Sequence, residues 1–306
     1  MRLAFVFPGQ GSQHVGMLAD FASEPVVART LAEAADAMSF DLGRVIAEGP
    51  EAELARTEVT QPALLTTSVA LWRLWRERGG AMPNRMAGHS LGEYSALVCA
   101  QALAFDDGVR LVRERGRLMQ RAVPQGEGAM AAILGLDDDA VVQCCASVDG
   151  VVSAANFNSP GQVVIAGNAS AVDRAIAACQ AAGARRAMRL AVSVPSHCAL
   201  MKAIERDFAS VLGTVRLTLP EVPVVQNVDA AEAQSIDAIR DNLVRQLSEP
   251  VQWTRCIEQI NAGGADRFVE CGPGRVLAGL IKRIDKSATT DSIGSRKEFA
   301  AALEAR

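Results

Sequence analysis

The sequence lacks the features of membrane proteins and of proteins that attract nucleic acid by bulk charge. No apolar run approaches the ~20 residues that span a bilayer. The apolar N-terminal segment stops at Pro8-Gly9, too early for the core of a signal peptide, so we expect a first buried strand there. The net charge is −4, so there is no excess of positive charge for phosphates. We therefore expect no membrane span and no nucleic-acid partner.

The cysteines lack the pattern of a disulfide framework or a zinc site. There are seven, which is an odd number, and none are spaced as C-x-x-C. This usage is typical of reduced thiols, so we expect a cytoplasmic protein without disulfides or a bound metal. The cysteines are Cys99, Cys144, Cys145, Cys179, Cys198, Cys256 and Cys271.

Histidine and tyrosine are scarce. The chain has one tyrosine, Tyr94, and three histidines, His14, His89 and His197. If the protein is an enzyme with an imidazole base, the choice is therefore among three residues.

What is present is typical of a globular α/β protein of about two domains. Among 306 residues, 49% are hydrophobic and 22% are charged, which is enough apolar surface for a large core. Short apolar runs alternate with amphipathic helical patterns, which predicts an α/β fold. The predicted strands here are 3–7 and 267–271, and the predicted helices are 25–38, 60–78 (capped by Thr60), 91–103, 106–121 and 276–284.

The middle of the chain has a different order of elements, βαββαβ, which is that of a ferredoxin-like unit. The predicted strands are 129–136, 151–156, 162–166 and 186–192, with helices over 137–147 and 169–182. We expect a small domain over 125–193, inserted into a large α/β domain formed by 1–124 and 194–306.

The motif Gly88-His89-Ser90-Leu91-Gly92 matches G-x-S-x-G, the nucleophile elbow of a strand–turn–helix. Such a turn exposes the serine hydroxyl and directs the next N–H, from Leu91, at the oxygen of an attacked carbonyl. A chance match in a glycine-rich chain is the alternative. The motif predicts that Ser90 is a nucleophile.

A serine nucleophile needs a base, and His197 is the histidine that the sequence favours. His89 adjoins Ser90 on the turn and points elsewhere, whereas His197 lies where the inserted unit returns to the large one. No Asp or Glu stands out as the acid of a triad. Instead, Gln246 lies at the end of a predicted helix, where a free main-chain carbonyl can accept the Nδ1–H of the base.

Arg115 falls on the apolar side of its predicted helix. At ~100° per residue, Arg110, Arg113, Arg117 and Arg121 share one stripe, and Arg115 lies among the core-facing residues opposite. A guanidinium that is buried needs an anionic partner. That partner is either a substrate carboxylate or an acidic side chain in an internal ion pair. The other alternative is that the side chain snorkels and its charged end reaches solvent. The first of these makes Arg115 a carboxylate clamp.

The loop Gly9-Gln10-Gly11-Ser12-Gln13 does not fit a dinucleotide site, because G-x-G-x-x-G would need glycine where His14 stands. Its main-chain N–H groups, which follow a strand, are candidates for a second oxyanion donor.

Taken together, these segments resemble a known family. Phe7–Gln13, Thr60-Gln61-Pro62-Ala63, Gly88–Tyr94, Arg115-Gly116, the run 156–162 and Pro195-Ser196-His197 recur in the same order in malonyl-CoA:acyl carrier protein transacylases of bacterial type II fatty-acid synthesis. The resemblance runs from end to end. It implies an α/β-hydrolase-like large domain with an inserted ferredoxin-like small one.

The resemblance also implies a function and a site. Malonyl would pass from malonyl-CoA to the phosphopantetheine thiol of acyl carrier protein through a malonyl-serine, without a cofactor, in a monomer. Ser90, His197 and the Gln246 carbonyl would be catalytic, and the amides of Gln10 and Leu91 would form the oxyanion hole. Arg115, Gln61 and Asn156 would bind substrate.

Three alternatives remain open from the sequence. One is a trans-acting acyltransferase of a polyketide or malonate-processing system, another is a serine esterase or thioesterase, and a third is a carrier-binding scaffold without activity. Because the carrier is acidic, a basic docking patch is expected, either at the arginine stripe or at Lys282-Arg283.

Overall fold

A computed structural model describes residues 2–124, 126–191 and 194–305. It has a mixed α/β fold with one parallel sheet and one separate antiparallel sheet. The first part of the chain forms β1 (Leu3–Phe7), α1 (Pro25–Met38), α2 (Leu42–Glu48), α3 (Glu51–Leu54), α4 (Thr57–Glu77), β2 (Arg85–Gly88), α5 (Leu91–Cys99) and α6 (Phe105–Ala122).

The middle of the chain forms β3 (Gly128–Leu134), α7 (Asp138–Ala146), β4 (Val152–Ser159), β5 (Gln162–Asn168), α8 (Ala169–Ala181) and β6 (Arg186–Arg189). The last part forms α9 (Glu205–Thr214), β7 (Val224–Val225), α10 (Ile236–Arg245), α11 (Trp253–Ala262), β8 (Arg267–Glu270), α12 (Val276–Ile284), β9 (Thr289–Ser292) and α13 (Arg296–Glu304). Two short 3₁₀ helices, Ala19–Phe21 and Ala199–Ile204, precede α1 and α9.

The parallel sheet has the order β7-β2-β1-β8-β9. All five residues of β1 are buried, as expected for a central parallel strand covered on both faces. Its alternate side chains enter two different cores: Phe5 and Phe7 pack with the α4 side, and Ala4 and Val6 pack with α11 and α12. Phe7 lies opposite Gly88, so β1 and β2 end at the same edge of the sheet.

The antiparallel sheet has the order β4-β5-β3-β6. One face packs on α7 and α8 through small and branched residues such as Ile133 and Val172. The other face, which includes Met130 and Val164, packs towards Cys198. This second face looks towards the carboxyl edge of the parallel sheet, and a cavity lies between the two.

The predicted order of elements is confirmed, and β1, α1 and α12 have the predicted bounds. The predicted cap at Thr60 is wrong. The helix α4 begins at Thr57 after Arg56, and the Thr60 hydroxyl, inside the helix, donates to the carbonyls of Leu54 and Arg56. The helix α5 ends at Cys99 rather than at 103.

Of the predicted domain limits, Met1, Gln125, Ser193 and Arg306 lie outside the described residues, as does Val192, the last residue of the predicted strand 186–192. The predicted strand 186–192 is shorter in the structure, because β6 ends at Arg189 and does not include Leu190 and Ala191. All seven cysteines are free, and all but Cys144 are buried. Within the described ranges, no helix combines the length and apolar character needed to cross a membrane.

Candidate active site

Ser90 sits on a strained turn between β2 and α5. Its backbone angles are φ 52° and ψ −108°, outside the regions that non-glycine residues favour. The turn needs small neighbours, because a Cβ on Gly92 would lie 2.0 Å from the Phe7 carbonyl oxygen. The G-x-S-x-G motif therefore has the strand–turn–helix context of a nucleophile elbow.

Asn227, which the sequence analysis missed, braces this turn from the chain segment after β7. Its Oδ1 accepts a hydrogen bond from the Ser90 amide at 2.7 Å, and its Nδ2 donates to the Gly88 carbonyl at 2.7 Å. Both main-chain groups flank the serine, so the brace holds the strained conformation without occupying the hydroxyl.

His197 is the histidine that meets Ser90. Its Nε2 lies 2.7 Å from the Ser90 Oγ, and its Nδ1 lies 2.6 Å from the main-chain oxygen of Gln246. A carbonyl oxygen only accepts, so Nδ1 carries the hydrogen and Nε2 is free to accept the serine proton. This is the tautomer that a general base for Ser90 needs.

The imidazole of His197 is held in its neutral form. Burial, together with the nearby Arg115 guanidinium, lowers the pKa of His197 to about 3. His197 as a whole is 2% exposed, so an imidazolium there would lose its hydration. At neutral pH the base is therefore ready to accept a proton.

Arg115 lies in the same cluster and is 1% exposed, so the interpretation of a snorkelling side chain is wrong. Its Nη1 donates to Gln61 Oε1 at 2.9 Å, and its Nη2 donates to Gln246 Oε1 at 2.9 Å and to the Ser90 Oγ at 3.3 Å. The ring of Tyr94 lies 5.3 Å away. Within the described part of the chain, Arg115 has no ion pair, so the guanidinium is held by neutral oxygens.

Gln246 occupies the C-terminal end of α10, as the sequence predicted, and contributes more than its carbonyl. Its side-chain Nε2 donates to the Ser90 carbonyl at 3.2 Å and to Glu93 Oε2 at 2.9 Å. Gln61 is 1% exposed and lies behind Arg115, where its Nε2 is 3.5 Å from the Met119 sulfur.

A cavity of about 260 Å³ opens in front of these groups. Gln10, Leu91 and Asn156 line it, so of the predicted site residues only Gln61 and Gln246 stand behind its wall. Gln10 follows β1 and Leu91 begins α5, which places both main chains beside Ser90. The rest of the wall is mostly apolar and includes Met119, Met130, Val164, Leu190, Val194, Val276, Leu277 and Leu280.

The other two histidines do not reach the serine in this way. The His89 Nε2 pairs with Asn158 Oδ1 at 2.8 Å, and the ring lies 5.5 Å from that of Trp253. Burial lowers the pKa of His89 as well. His14 is exposed, and its Nδ1 lies 3.1 Å from the Val15 carbonyl.

The two candidate basic patches differ in their relation to the cavity. In the arginine stripe, Arg110 pairs with Asp106 and Asp107, and Arg117 pairs with Glu114. By contrast, Arg283 is exposed on α12 and donates to Gln162, a residue of the cavity wall. The stripe is therefore partly neutralised, whereas Arg283 stands at the rim of the cavity.

Comparison with known proteins identifies relatives over the whole chain. A profile of the acyl transferase domain matches residues 4–300. The malonyl CoA-acyl carrier protein transacylase of Escherichia coli (strain K12) is 57% identical, with 99% of both chains covered. An acyl carrier protein S-malonyltransferase from Vibrio cholerae superposes with a TM-score of 0.96 at 50% identity, covering 98% of this chain and 99% of the other.

A further similar structure shows a malonyl-transacylase in complex with a holo type II PKS acyl-carrier protein. It has a TM-score of 0.98 and 53% identity, with 100% of both chains covered.

Proposed function

Because the chain belongs to the acyl transferase family, with malonyl CoA-acyl carrier protein transacylases as its full-length relatives, we propose that it transfers malonyl from malonyl-CoA to acyl carrier protein for fatty-acid synthesis. The observation that carries this function is the pair Ser90–His197, 2.7 Å apart, beside the buried Arg115 in one cavity. A nucleophile, a base and a carboxylate clamp are the groups that malonyl transfer requires.

In the first half-reaction, His197 Nε2 takes the proton of the Ser90 hydroxyl as Oγ attacks the thioester carbonyl. The imidazolium that forms keeps its Nδ1–H on the Gln246 carbonyl, which is the role we assign to that oxygen. The main-chain N–H groups of Gln10 and Leu91 bind the oxyanion. The C–S bond then breaks, the CoA thiolate takes the proton from His197, and malonyl-Ser90 remains.

The second half-reaction reverses these roles. The phosphopantetheine thiol of the carrier enters the cavity, loses its proton to His197 and attacks the seryl ester. The C–O bond to Ser90 breaks, and His197 returns the proton to Oγ. CoA leaves before the carrier thiol attacks, and the malonyl group stays on Ser90 in between, so the kinetics are ping-pong.

Arg115 selects the acyl group. Its Nη2 is already within 3.3 Å of the Ser90 Oγ, so a malonyl group on that oxygen has its carboxylate within reach of the guanidinium. A bidentate pair gives both binding energy and orientation. Gln61 supports the guanidinium from behind, and Asn156 contacts the substrate from the cavity wall.

The strand orders support a finer description of the fold. We infer an α/β-hydrolase-like large domain, 1–124 with 194–306, because its sheet is parallel and carries the elbow after β2. We infer a ferredoxin-like small domain over 125–193, because two helices cover one face of a β4-β5-β3-β6 sheet.

The acidic carrier docks, on this proposal, at the rim that includes Lys282-Arg283 rather than at the arginine stripe. The steps assigned to Ser90 and His197 call for no metal or organic cofactor. The free cysteines and the CoA substrate fit a cytoplasmic site of action.

The test is the intact mass of the protein after mixing with malonyl-CoA. The wild type gains one malonyl group and loses it to holo carrier protein, and Ser90→Ala gains none. Release of free malonate at the same rate with and without the carrier would indicate a hydrolase instead.

A polyketide carrier is the second candidate acceptor, since one similar structure holds a type II PKS carrier protein. Transfer rates from the malonyl-enzyme to carriers of both kinds decide between them.

A further inference from the structure

A buried carboxylate, that of Glu93, lies directly behind the site and has no part in the steps above. Glu93 is on the first turn of α5 and is 0% exposed. Its Oε1 accepts from Gln226 Nε2 at 2.9 Å. Its Oε2 accepts from the Asn227 amide at 2.8 Å and from Gln246 Nε2 at 2.9 Å. Both oxygens therefore face donors.

The contact with Gln246 matters because Gln246 hydrogen-bonds both the base His197 and the guanidinium of Arg115. Its main-chain oxygen accepts from His197, and its Oε1 accepts from Arg115. A guanidinium has only donors, so the side-chain oxygen of Gln246 must face Arg115 and its NH₂ must face Glu93. Glu93 thus anchors the far end of an amide whose near end holds the clamp.

On the other side of Glu93, the orientation of the Gln226 side-chain amide is also determined by its hydrogen bonds. Asn242 Nδ2 donates to Gln226 Oε1 at 3.1 Å, and Asn242 Oδ1 accepts from Arg245 at 3.2 Å. The NH₂ of Gln226 must therefore point at Glu93. No amide on either side can turn to offer an oxygen without breaking a second hydrogen bond, so the position requires an acceptor.

We propose that Glu93 is a positioning residue for acyl transfer, whose carboxyl oxygen holds the Gln246 side chain and thereby sets both the His197 imidazole and the Arg115 guanidinium. The inference rests on the proposed function. The sequence showed no acidic residue for a catalytic triad. On this proposal Glu93 takes a comparable place, but it acts on His197 through Gln246 and does not contact the imidazole.

Two substitutions distinguish the effect of the length of the Glu93 side chain from the effect of its charge. Glu93→Asp keeps the charge but draws the carboxylate back by one methylene, about 1.5 Å, away from Gln246. Glu93→Gln loses the charge but keeps the length. Its single oxygen favours the side with two donors, which are the Asn227 amide and Gln246 Nε2, and leaves its NH₂ against Gln226.

The readout is the rate of Ser90 acylation by malonyl-CoA, followed by rapid quenching and intact mass. We expect Glu93→Asp to be about 10- to 100-fold slower, because misplacement by an ångström costs that order of rate. Glu93→Gln should stay within about threefold of the wild type, as should Gln226→Leu, which disturbs the same buried network on the side away from Gln246. Equal losses in Glu93→Asp and Gln226→Leu would overturn the inference, and so would a Glu93→Gln variant as slow as Glu93→Asp.

A double-mutant cycle with Gln246→Met gives a readout that a merely structural role would not move. Met removes the side-chain amide and leaves the main-chain carbonyl for His197. If Glu93 acts through that amide, Glu93→Asp adds no further loss in the Gln246→Met background. Losses that multiply would show that Glu93 acts elsewhere.

Thermal unfolding of each variant is first compared with that of the wild type, and an acylation rate is interpreted only for a variant that is folded. If Glu93→Asp does not fold, Glu93→Met, which fills a similar volume without an acceptor, takes its place in the cycle. Absence of malonyl transfer in the wild type would contradict the proposed function, whereas an active wild type with indifferent Glu93 variants contradicts only this inference.

Discussion

Arg115→Ala is the substitution that tests the acyl selectivity most directly. In the wild type the guanidinium is held at three points, by Gln61, Gln246 and the Ser90 Oγ. Arg115 is 1% exposed and lines the cavity, so a malonyl carboxylate that binds there gains two charge-assisted hydrogen bonds.

The size of the effect follows from that geometry. Hydrogen bonds to charged groups contribute about 1.5–3 kcal/mol each, and the lower value applies here because the guanidinium gives up part of its bonding to neutral amides. Two such bonds give about 3 kcal/mol, which is roughly a hundredfold in rate at 1.4 kcal/mol per tenfold. Acetyl-CoA has no carboxylate, so its slower reaction should change much less.

The assay measures acylation of Ser90 by malonyl-CoA and acetyl-CoA side by side. Arg117→Ala is the matched control, because Arg117 is on the same helix but half-exposed and paired with Glu114. Arg115→Ala leaves the Gln61 and Gln246 oxygens unpaired, so its stability in urea must be measured as well. A folded Arg115→Ala that still prefers malonyl to acetyl by the wild-type ratio would refute the clamp.

The site and its surroundings also determine a pH profile of acylation, a pH dependence of stability and a steric limit at Gly92. Acylation should change by no more than about threefold from about pH 8 to pH 5. The neutral base is present above the lowered pKa of His197, about 3, and Glu93, whose pKa burial raises to about 7, keeps an oxygen for Gln246 in its neutral form, as Glu93→Gln does. A larger fall centred near pH 6.5 would contradict this. Because the pKa of His197 is lowered only in the folded state, the free energy of unfolding of the wild type should fall as pH drops below about 6.5. Urea unfolding at several pH values should show a shallower fall for His197→Gln. Equal slopes of unfolding free energy against pH would contradict this. Gly92→Ala should lower stability by at least about 2 kcal/mol, since its Cβ meets the Phe7 carbonyl, whereas Gly279→Ala in α12, with open space, should not; equal melting temperatures would refute the steric argument.

Local patterns predicted much of the fold because the segments carry their own signals. The strand β1 is a continuous apolar run ended by Pro-Gly, and α1 and α12 have helical periodicity with clear ends. The strands β7 and β9 escaped prediction. The first is two residues long, and the second, Thr289–Ser292, is polar and becomes a strand only by pairing with β8.

The site divides in the same way. The G-x-S-x-G motif placed Ser90 on a turn, and helical periodicity placed Arg115 on the buried face of α6, because both depend on residues a few positions apart. Asn227 and Glu93 could not be assigned, since their partners are more than a hundred residues away in sequence. Glu93 directly follows the G-x-S-x-G motif, but nothing local indicates what its carboxylate would face.

The sequence by itself determined the βαββαβ order of the middle of the chain, the elbow that exposes Ser90 and a choice of three histidines. Tertiary structure alone decided that His197 lies 2.7 Å from Ser90, that the amides of Gln61 and Gln246 hold Arg115, and that the cavity lies between two sheets. The physical reason is range. Backbone preferences and periodicity act over one or two turns, whereas a buried hydrogen bond between distant residues exists only once the cores have packed.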